Sequence, residues 1–181
     1  MSKSLDTRLL AQFLVKAGRK LKGEWVLLGG TLLPAVGIDV RATVDIDLVG
    51  LGKKEAAQQL ELMSLAESLG LPVESVNQAA AFFLKKIGYT KADLIVLEQG
   101  PSATIYRPSL SLYWRLKMRR LSETDLQDCE HYFNFCTSSG DAIQISELKI
   151  AAREASQREK SPAKLRRLKK LSEILGAGEL A

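Results

Sequence analysis

The sequence contains little cysteine and histidine: two cysteines, Cys129 and Cys136, and one histidine, His131. The two cysteines lie about two turns apart on one predicted helix, which is too far for a disulfide within a straight helix. Helical spacing directs these three side chains differently, which argues against a zinc site. Both cysteines are therefore expected to be buried thiols.

The sequence also lacks a long apolar run. No stretch approaches the length of a membrane span, and residues 1–6 lack the apolar region of a secretory signal. We therefore expect a cytoplasmic protein without a membrane segment. Its 181 residues, 46% hydrophobic and 26% charged, suffice for a folded core. The net charge of +5 favours a polyanionic partner such as RNA.

A predicted buried strand followed by a glycine turn is the first feature of chemical interest. Residues 25–28 are apolar and are followed by Gly29 and Gly30. Glycine allows a tight turn and lets backbone N–H groups approach a phosphate closely. Thr31 follows at the start of a predicted short helix. Its hydroxyl is expected to be free to cap that helix or to contact an anion.

A second predicted strand carries two alternating aspartates, Asp45 and Asp47, between aliphatic residues. A period of two places both carboxylates on one face of a strand. Neighbouring carboxylates repel each other, and a divalent cation between them would offset the repulsion. Magnesium suits such a pair because it takes few carboxylates and completes its shell with water and phosphate oxygens. A solvated strand face is the alternative interpretation.

Together, the glycine turn and the aspartates predict a site for phosphoryl or nucleotidyl transfer. The run Leu28-Gly29-Gly30-Thr31, followed by Arg41-x-Thr43-x-Asp45-Ile46-Asp47, resembles the G-[GS]-[ST] … R-x-T-x-D-[IL]-D signature of minimal nucleotidyltransferases. The resemblance is strongest to the AbiEii/MenT-like branch of the polymerase-β-like superfamily, many of whose members are toxins of toxin–antitoxin pairs. It implies a small mixed sheet flanked by helices.

The resemblance also implies roles for residues outside these two strands. Arg41 would hold phosphate or pair with the carboxylates, a solvated loop arginine being the alternative. Asp93 opens a predicted strand, residues 92–97, and is the candidate for a third carboxylate that acts on the attacking hydroxyl. A turn aspartate is the alternative.

A basic helix, predicted over residues 109–121, carries Lys117, a point charge suited to a triphosphate. Lys117 and the later pair Asp125 and Asp128 resemble late motifs of the same branch, although Thr124 stands where a basic residue is frequent there. A structural ion pair is the alternative for the two aspartates, and Thr124 is predicted to cap their helix.

Hydrophobic periodicity predicts further helices over residues 5–21, 53–69 and 73–87, and two more beginning near residues 141 and 163. Within the third of these, Phe82 and Phe83 are predicted to be core residues. The last helix has a single apolar stripe and is otherwise basic. That basic surface is expected either to be solvated or to contact RNA backbone.

The sequence thus predicts an α/β fold (α+β, with a mixed sheet). Residues 1–108 form a nucleotidyltransferase-like core with an N-terminal helix, and residues 109–181 form a helical part packed on that core, closing its cleft. The predicted catalytic residues are Asp45, Asp47, Asp93 and Lys117, and Asp45 and Asp47 also bind the metal. The predicted nucleotide-binding residues are Gly29, Gly30, Thr31, Arg41, Lys117, Asp125 and Asp128.

The function implied is the transfer of a nucleoside monophosphate from a nucleoside triphosphate to an acceptor hydroxyl. Mg²⁺ is the expected cofactor, with Mn²⁺ as an alternative. By resemblance the acceptor is tRNA or a protein side chain, and an antitoxin is a further partner. The alternative is a non-catalytic nucleotide-binding or RNA-binding protein on the same fold.

Overall fold

The computed structural model describes residues 7–38 and 45–177, which form two compact units, the first ending at Ser109 and the second beginning at Leu110. The strands are β1 Gly23–Leu28, β2 Ile46–Gly50, β3 Val76–Asn77, β4 Leu94–Gln99 and β5 Ala103–Pro108. The helices are α1 Thr7–Lys20, α2 Leu32–Ala35, α3 Lys53–Ala56, α4 Gln59–Glu67, α5 Ala80–Ile87, α6 Leu110–Met118, α7 Glu123–Ser138, α8 Ile145–Arg158 and α9 Pro162–Ala177. Short 3-10 turns cover Val73–Ser75 and Lys91–Asp93.

The five strands form one mixed sheet in the order β3-β2-β1-β5-β4. Strand β1 lies at its centre, antiparallel to β2 and parallel to β5. Strand β3 is parallel to β2, and β4 is antiparallel to β5. The predicted α/β class with a mixed sheet is therefore confirmed. These directions bring the end of β1, the start of β2, the end of β5 and the start of β4 to one edge, called here the Leu28 edge.

Helix α1 forms because its apolar residues recur on one face, and Leu10, Phe13, Leu14 and Ala17 are buried there. Its last turn lies very close to the β4–β5 turn, where Ser102 N–H donates to the Gly18 carbonyl at 3.1 Å. A Cβ on Gly100 would lie 2.2 Å from that carbonyl oxygen. Only glycine fits there, and this close contact fixes α1 against the sheet.

The single helix predicted over residues 53–69 is wrong: α3 and α4 are separate helices. The break comes at Gln58, whose side chain pairs with the backbone of Lys22. Its Oε1 accepts from Lys22 N–H at 2.9 Å, and its Nε2 donates to the Lys22 carbonyl at 3.0 Å. Hydrogen bonds to a segment 36 residues away bend the chain where local periodicity predicts continuity.

The helix predicted over residues 73–87 is also wrong in its first half, which forms a 3-10 turn and the edge strand β3. Val76 pairs there with Ile46 of β2, and its side chain is buried. In the second half, α5 buries only Leu84. Phe82 and Phe83 are 65% and 44% exposed, so the prediction that they belong to the core is wrong.

The second unit consists of α6 to α9. Trp114 of α6 is fully buried and its indole N–H donates to the Cys129 carbonyl of α7 at 3.1 Å. Cys129 and Cys136 are buried and form no disulfide, as expected, and burial raises the pKa of Cys129. Helix α9 contributes its apolar stripe, Leu168, Leu171 and Leu175, to this core. Within the two described ranges, no helix is long and apolar enough to cross a bilayer.

Candidate active site

The glycine turn and Asp47 form one local structure at the Leu28 edge. Leu28, the last residue of β1, pairs with Asp47 of β2. The next residue, Gly29, has a φ of +69°, which favours glycine. A Cβ on Gly29 would lie 2.0 Å from Asp47 Oδ2. The carboxylate thus occupies the space that any side chain at position 29 would need.

The two aspartates of the predicted pair lie at the start of β2. Ile46 and Leu48 are fully buried, Asp47 is half-buried, and Asp45, the residue before the strand, is exposed. This burial follows the predicted alternation of aliphatic and carboxylate positions. The strand begins later than predicted, and Arg41, the arginine of the signature, lies outside the described residues.

Thr31 does not have the free hydroxyl that the sequence predicts. The residue is fully buried, and its Oγ1 donates to the Leu28 carbonyl at 3.3 Å. It makes no side-chain cap to α2, which is only four residues long. The bond satisfies a buried carbonyl at the end of β1. An anion contact through this hydroxyl would therefore require the bond to be exchanged.

Asp93 has a capping role in the structure. Its carboxylate accepts hydrogen bonds from Thr90 N–H at 2.9 Å, Thr90 Oγ1 at 3.3 Å and Ser109 Oγ at 3.2 Å. It ends a 3-10 turn and does not open β4 as predicted. Strands β1 and β5 separate β4 from β2, so three strand spacings, about 14 Å, lie between the backbones. The structure does not bring Asp93 to the aspartate pair.

Asn77 is a neighbour of the site that the sequence analysis missed. It lies on β3 in direct register with Asp47, so both side chains belong to one face of the sheet. Its Oδ1 accepts from Ala79 N–H at 3.0 Å. The two-residue strand has no periodicity of its own, and no sequence signal distinguished it.

Asp45 and Asp47 carry carboxylate oxygens, the donor type that magnesium prefers. Among residues 7–38 and 45–177 no group of three or more histidine, cysteine, aspartate or glutamate side chains is arranged to hold a metal. Magnesium does not need such a group, since one or two carboxylates with substrate phosphates and water complete its shell. The donor chemistry of Asp45 and Asp47 is therefore compatible with this ion, and Asp47 lies against the turn at Gly29.

The second unit contains a separate ionic cluster, formed by Lys117, Arg120, Asp125 and Asp128. Lys117 Nζ lies 2.7 Å from Asp128 Oδ2 and 3.1 Å from Asp125 Oδ1. Both aspartates are 1% exposed. Arg120 binds Asp125 through two atoms, Nε at 2.8 Å and Nη2 at 2.9 Å, the geometry of a strong bidentate pair.

Asp125 also closes the start of α7. Ser122 is the N-cap, and its hydroxyl accepts from Asp125 N–H at 3.1 Å while Asp125 Oδ2 accepts from Ser122 N–H at 3.0 Å. The prediction that Thr124 caps the helix is therefore wrong. Burial would raise the pKa of Asp125, but the bonds from Arg120 and Ser122 and the charge of Lys117 hold it well below its usual range.

Three of the predicted nucleotide-binding residues therefore contact one another: Lys117, Asp125 and Asp128. This is the ion-pair arrangement that was the alternative for the two aspartates. Lys117 is largely buried, with 11% of its side chain exposed, and its Nζ lies 5.5 Å from the centre of the Tyr113 ring. Its predicted contact with a triphosphate stays a prediction.

The turn between α6 and α7 is held by α9. Leu121 is fully buried and has a φ of +45°, a left-handed conformation that costs a leucine roughly 1–2 kcal/mol. Arg167 Nε donates to its carbonyl, and Lys164 Nζ donates to the Arg119 carbonyl at 2.8 Å. The basic residues Lys164 and Arg167 of α9 thus stabilise the α6–α7 turn through hydrogen bonds to its carbonyl groups. The other three in this run, Arg166, Lys169 and Lys170, are exposed.

Comparison with protein-family models, curated proteins and solved structures finds no match for this chain. The geometry of the Leu28 edge and the signature in the sequence are therefore the two observations on which a functional proposal rests. They concern the same residues, since Gly29 and Asp47 belong to both.

Proposed function

We propose that the protein is a metal-dependent nucleotidyltransferase that moves a nucleoside monophosphate from a nucleoside triphosphate to an acceptor hydroxyl and releases pyrophosphate. The observation that carries the proposal is the position of the Asp47 carboxylate against the bare Cα of Gly29. It joins a turn suited to phosphate with a carboxylate suited to magnesium. The sequence signature supports the same assignment.

In this proposal Asp45 and Asp47 hold Mg²⁺, or Mn²⁺ in its place. The bound metal would neutralise charge on the triphosphate and polarise the acceptor oxygen. Backbone N–H groups of the turn at Gly29 and Gly30 would orient the phosphates, since the Thr31 hydroxyl is engaged with Leu28. Arg41 is expected to add positive charge where the transition state is most negative. The catalytic role predicted for Lys117 stays a prediction, since its ammonium group is paired with Asp125 and Asp128.

The biological setting follows from the resemblance. It implies tRNA or a protein side chain as the acceptor, and a toxin whose activity a cognate antitoxin restrains. A second candidate function, a non-catalytic nucleotide-binding or RNA-binding protein, is favoured by one observation. Asp93, the proposed third carboxylate, has a capping role and lies three strands from β2.

The test incubates purified protein with Mg²⁺, each labelled nucleoside triphosphate in turn, and total tRNA. The Asp45→Ala/Asp47→Ala variant is expected to lose at least about 10³-fold in transfer rate, because metal ions supply several kcal/mol of transition-state stabilisation. The matched control, Glu61→Ala/Glu67→Ala, removes two carboxylates from α4 and should retain the parent rate.

Label on tRNA identifies the nucleotide and the acceptor together, and label on protein identifies a protein acceptor. Transfer that survives loss of both aspartates would contradict the proposed site. Nucleotide binding without transfer to either acceptor would support the non-catalytic candidate.

A further inference from the structure

Helix α5 exposes two adjacent aromatic side chains. Phe82 is 65% and Phe83 is 44% exposed, and their ring centroids lie 5.4 Å apart in an edge-to-face arrangement. Of the eight residues of α5 only Leu84 is buried. Two adjacent aromatic side chains therefore expose large parts of their surface to solvent, which is informative for residues of this size.

The same helix is positively charged. Lys85 and Lys86 occupy its last turn and are exposed, and α5 contains no acidic residue. Positions three and four apart on a helix are neighbours, so both lysines lie on the side of Phe82. Phe82, Phe83, Lys85 and Lys86, called here the α5 face, thus combine aromatic rings with positive charge.

The α5 face is tied to the strands that carry the candidate active site. Asn77, in register with Asp47, lies three residues before α5 and accepts from Ala79 N–H. The Gln78 side chain accepts from Gly50 N–H of β2 at 3.1 Å, and α5 packs against β2. Three residues span at most about 10 Å, and eight helical residues about 12 Å. The whole face therefore lies within roughly 22 Å of Asn77.

We propose that the α5 face binds single-stranded nucleic acid, with the phenylalanines stacked on unpaired bases and the lysines on phosphates. Aromatic rings accept any base because every base has a π-face, and lysines follow the backbone charge. Bases inside a duplex are stacked on each other and do not reach such side chains. The absence of acidic residues on α5 and the two lysines favour a polyanion over an apolar protein surface.

The use of the bound strand rests on the proposed function: the α5 face would hold an acceptor strand beside the site of Asp45 and Asp47. The binding itself needs neither metal nor those aspartates. A binding measurement without magnesium therefore separates the two proposals, because failure of transfer leaves it unaffected.

The experiment measures fluorescence anisotropy of a labelled mixed-sequence 12-nucleotide RNA with the full chain in EDTA. Phe82→Ala/Phe83→Ala is expected to weaken binding at least tenfold, since stacking on one base contributes about 5- to 160-fold by alanine substitution. Phe82→Tyr/Phe83→Tyr should retain binding, because tyrosine also stacks. Lys85→Gln/Lys86→Gln should weaken binding and lower its salt dependence.

Two controls distinguish other surfaces. Lys169→Gln/Lys170→Gln removes the same charge from α9 and should leave affinity within about threefold, and the duplex form of the RNA should bind at least tenfold more weakly than the single strand. Equal binding by Phe82→Ala/Phe83→Ala and the parent would overturn the proposal, as would no binding by the parent. A loss confined to the α9 variant would place the nucleic acid on α9 and also overturn it.

Discussion

Two pairs of aspartates in this protein have opposite surroundings. Asp125 and Asp128 are buried among Lys117, Arg120 and Ser122, whose donors reach their oxygens at 2.7 to 3.1 Å. Asp45 is exposed, and Asp47 is half-buried beside a glycine whose missing side chain leaves room for it. The first pair is compensated by protein cations, and Asp47 of the second pair lies against the turn at Gly29.

This difference shows how a carboxylate that stabilises the fold can be distinguished from one that is available to bind a ligand. A buried carboxylate must be neutralised by its own chain, because the desolvation cost of an unpaired charge is several kcal/mol. A carboxylate near solvent can be neutralised by an external cation, which is the condition for binding magnesium. The sequence presents both pairs as D-x-D or D-x-x-D, so only their surroundings distinguish them.

The largest expected effect on stability comes from removing Asp125, a member of the pair that protein cations compensate. Asp125→Ala removes the partner of Arg120, a partner of Lys117 and the cap acceptor of Ser122, and should lower the free energy of unfolding by about 3–5 kcal/mol. Urea denaturation measures the change. Glu130→Ala, at an exposed position of α7, is the control and should cost less than about 0.5 kcal/mol. A loss of under 1 kcal/mol for Asp125→Ala would show that the cluster is not structural.

A smaller loss of stability is expected from a substitution at Gly29, which lies against Asp47 of the second pair. Gly29→Ala places a Cβ 2.0 Å from Asp47 Oδ2 and strains a φ of +69°. We expect a loss of about 1–2 kcal/mol in stability and at least a tenfold loss of transfer, because the carboxylate must move. Gly70→Ala is a matched control, with the same φ of +69° and no atom within 4 Å of the added Cβ. Gly70→Ala should lose a similar free energy of unfolding to backbone strain and should retain the parent rate of transfer.

The smallest expected effect is on the pH dependence of stability. The pKa of Asp125 is lowered in the folded chain, so the unfolded chain binds the proton more readily. Its stabilisation is therefore complete above the ordinary aspartate pKa of about 4 and is lost as the pH falls toward the folded value. Urea titrations from pH 7 downward should show a steeper loss for the parent than for Asp125→Asn. Parallel curves would contradict the assignment.

The sequence predicts the Leu28 edge well because its signals are local. The strand at residues 25–28, the turn at Gly29 and the alternation around Asp47 depend on period two and on glycine geometry, which neighbouring residues determine. The α/β class follows from these strands and the amphipathic helices. The roles of the edge residues in chemistry stay predictions.

Other features depend on contacts that a local pattern does not contain. Phe82 and Phe83 are apolar residues of the kind found in a protein core. The side of α5 that is buried is the side of Leu84, and the sequence of the helix does not show this. The Lys117 cluster needs a turn with a left-handed leucine to bring two helices together. The break at Gln58 depends on Lys22, and β3 exists because β2 offers an edge.

The hydrogen bonds that α9 donates to the α6–α7 turn have a consequence for folding during synthesis on the ribosome. Lys117, Arg120 and Asp125 emerge within a few residues of one another, but Arg167, which holds the Leu121 carbonyl, follows 46 residues later. Until it emerges, the strained leucine lacks its long-range restraint. The nascent second unit therefore remains able to rearrange at this turn while the first unit, already complete in sequence, can fold ahead of it.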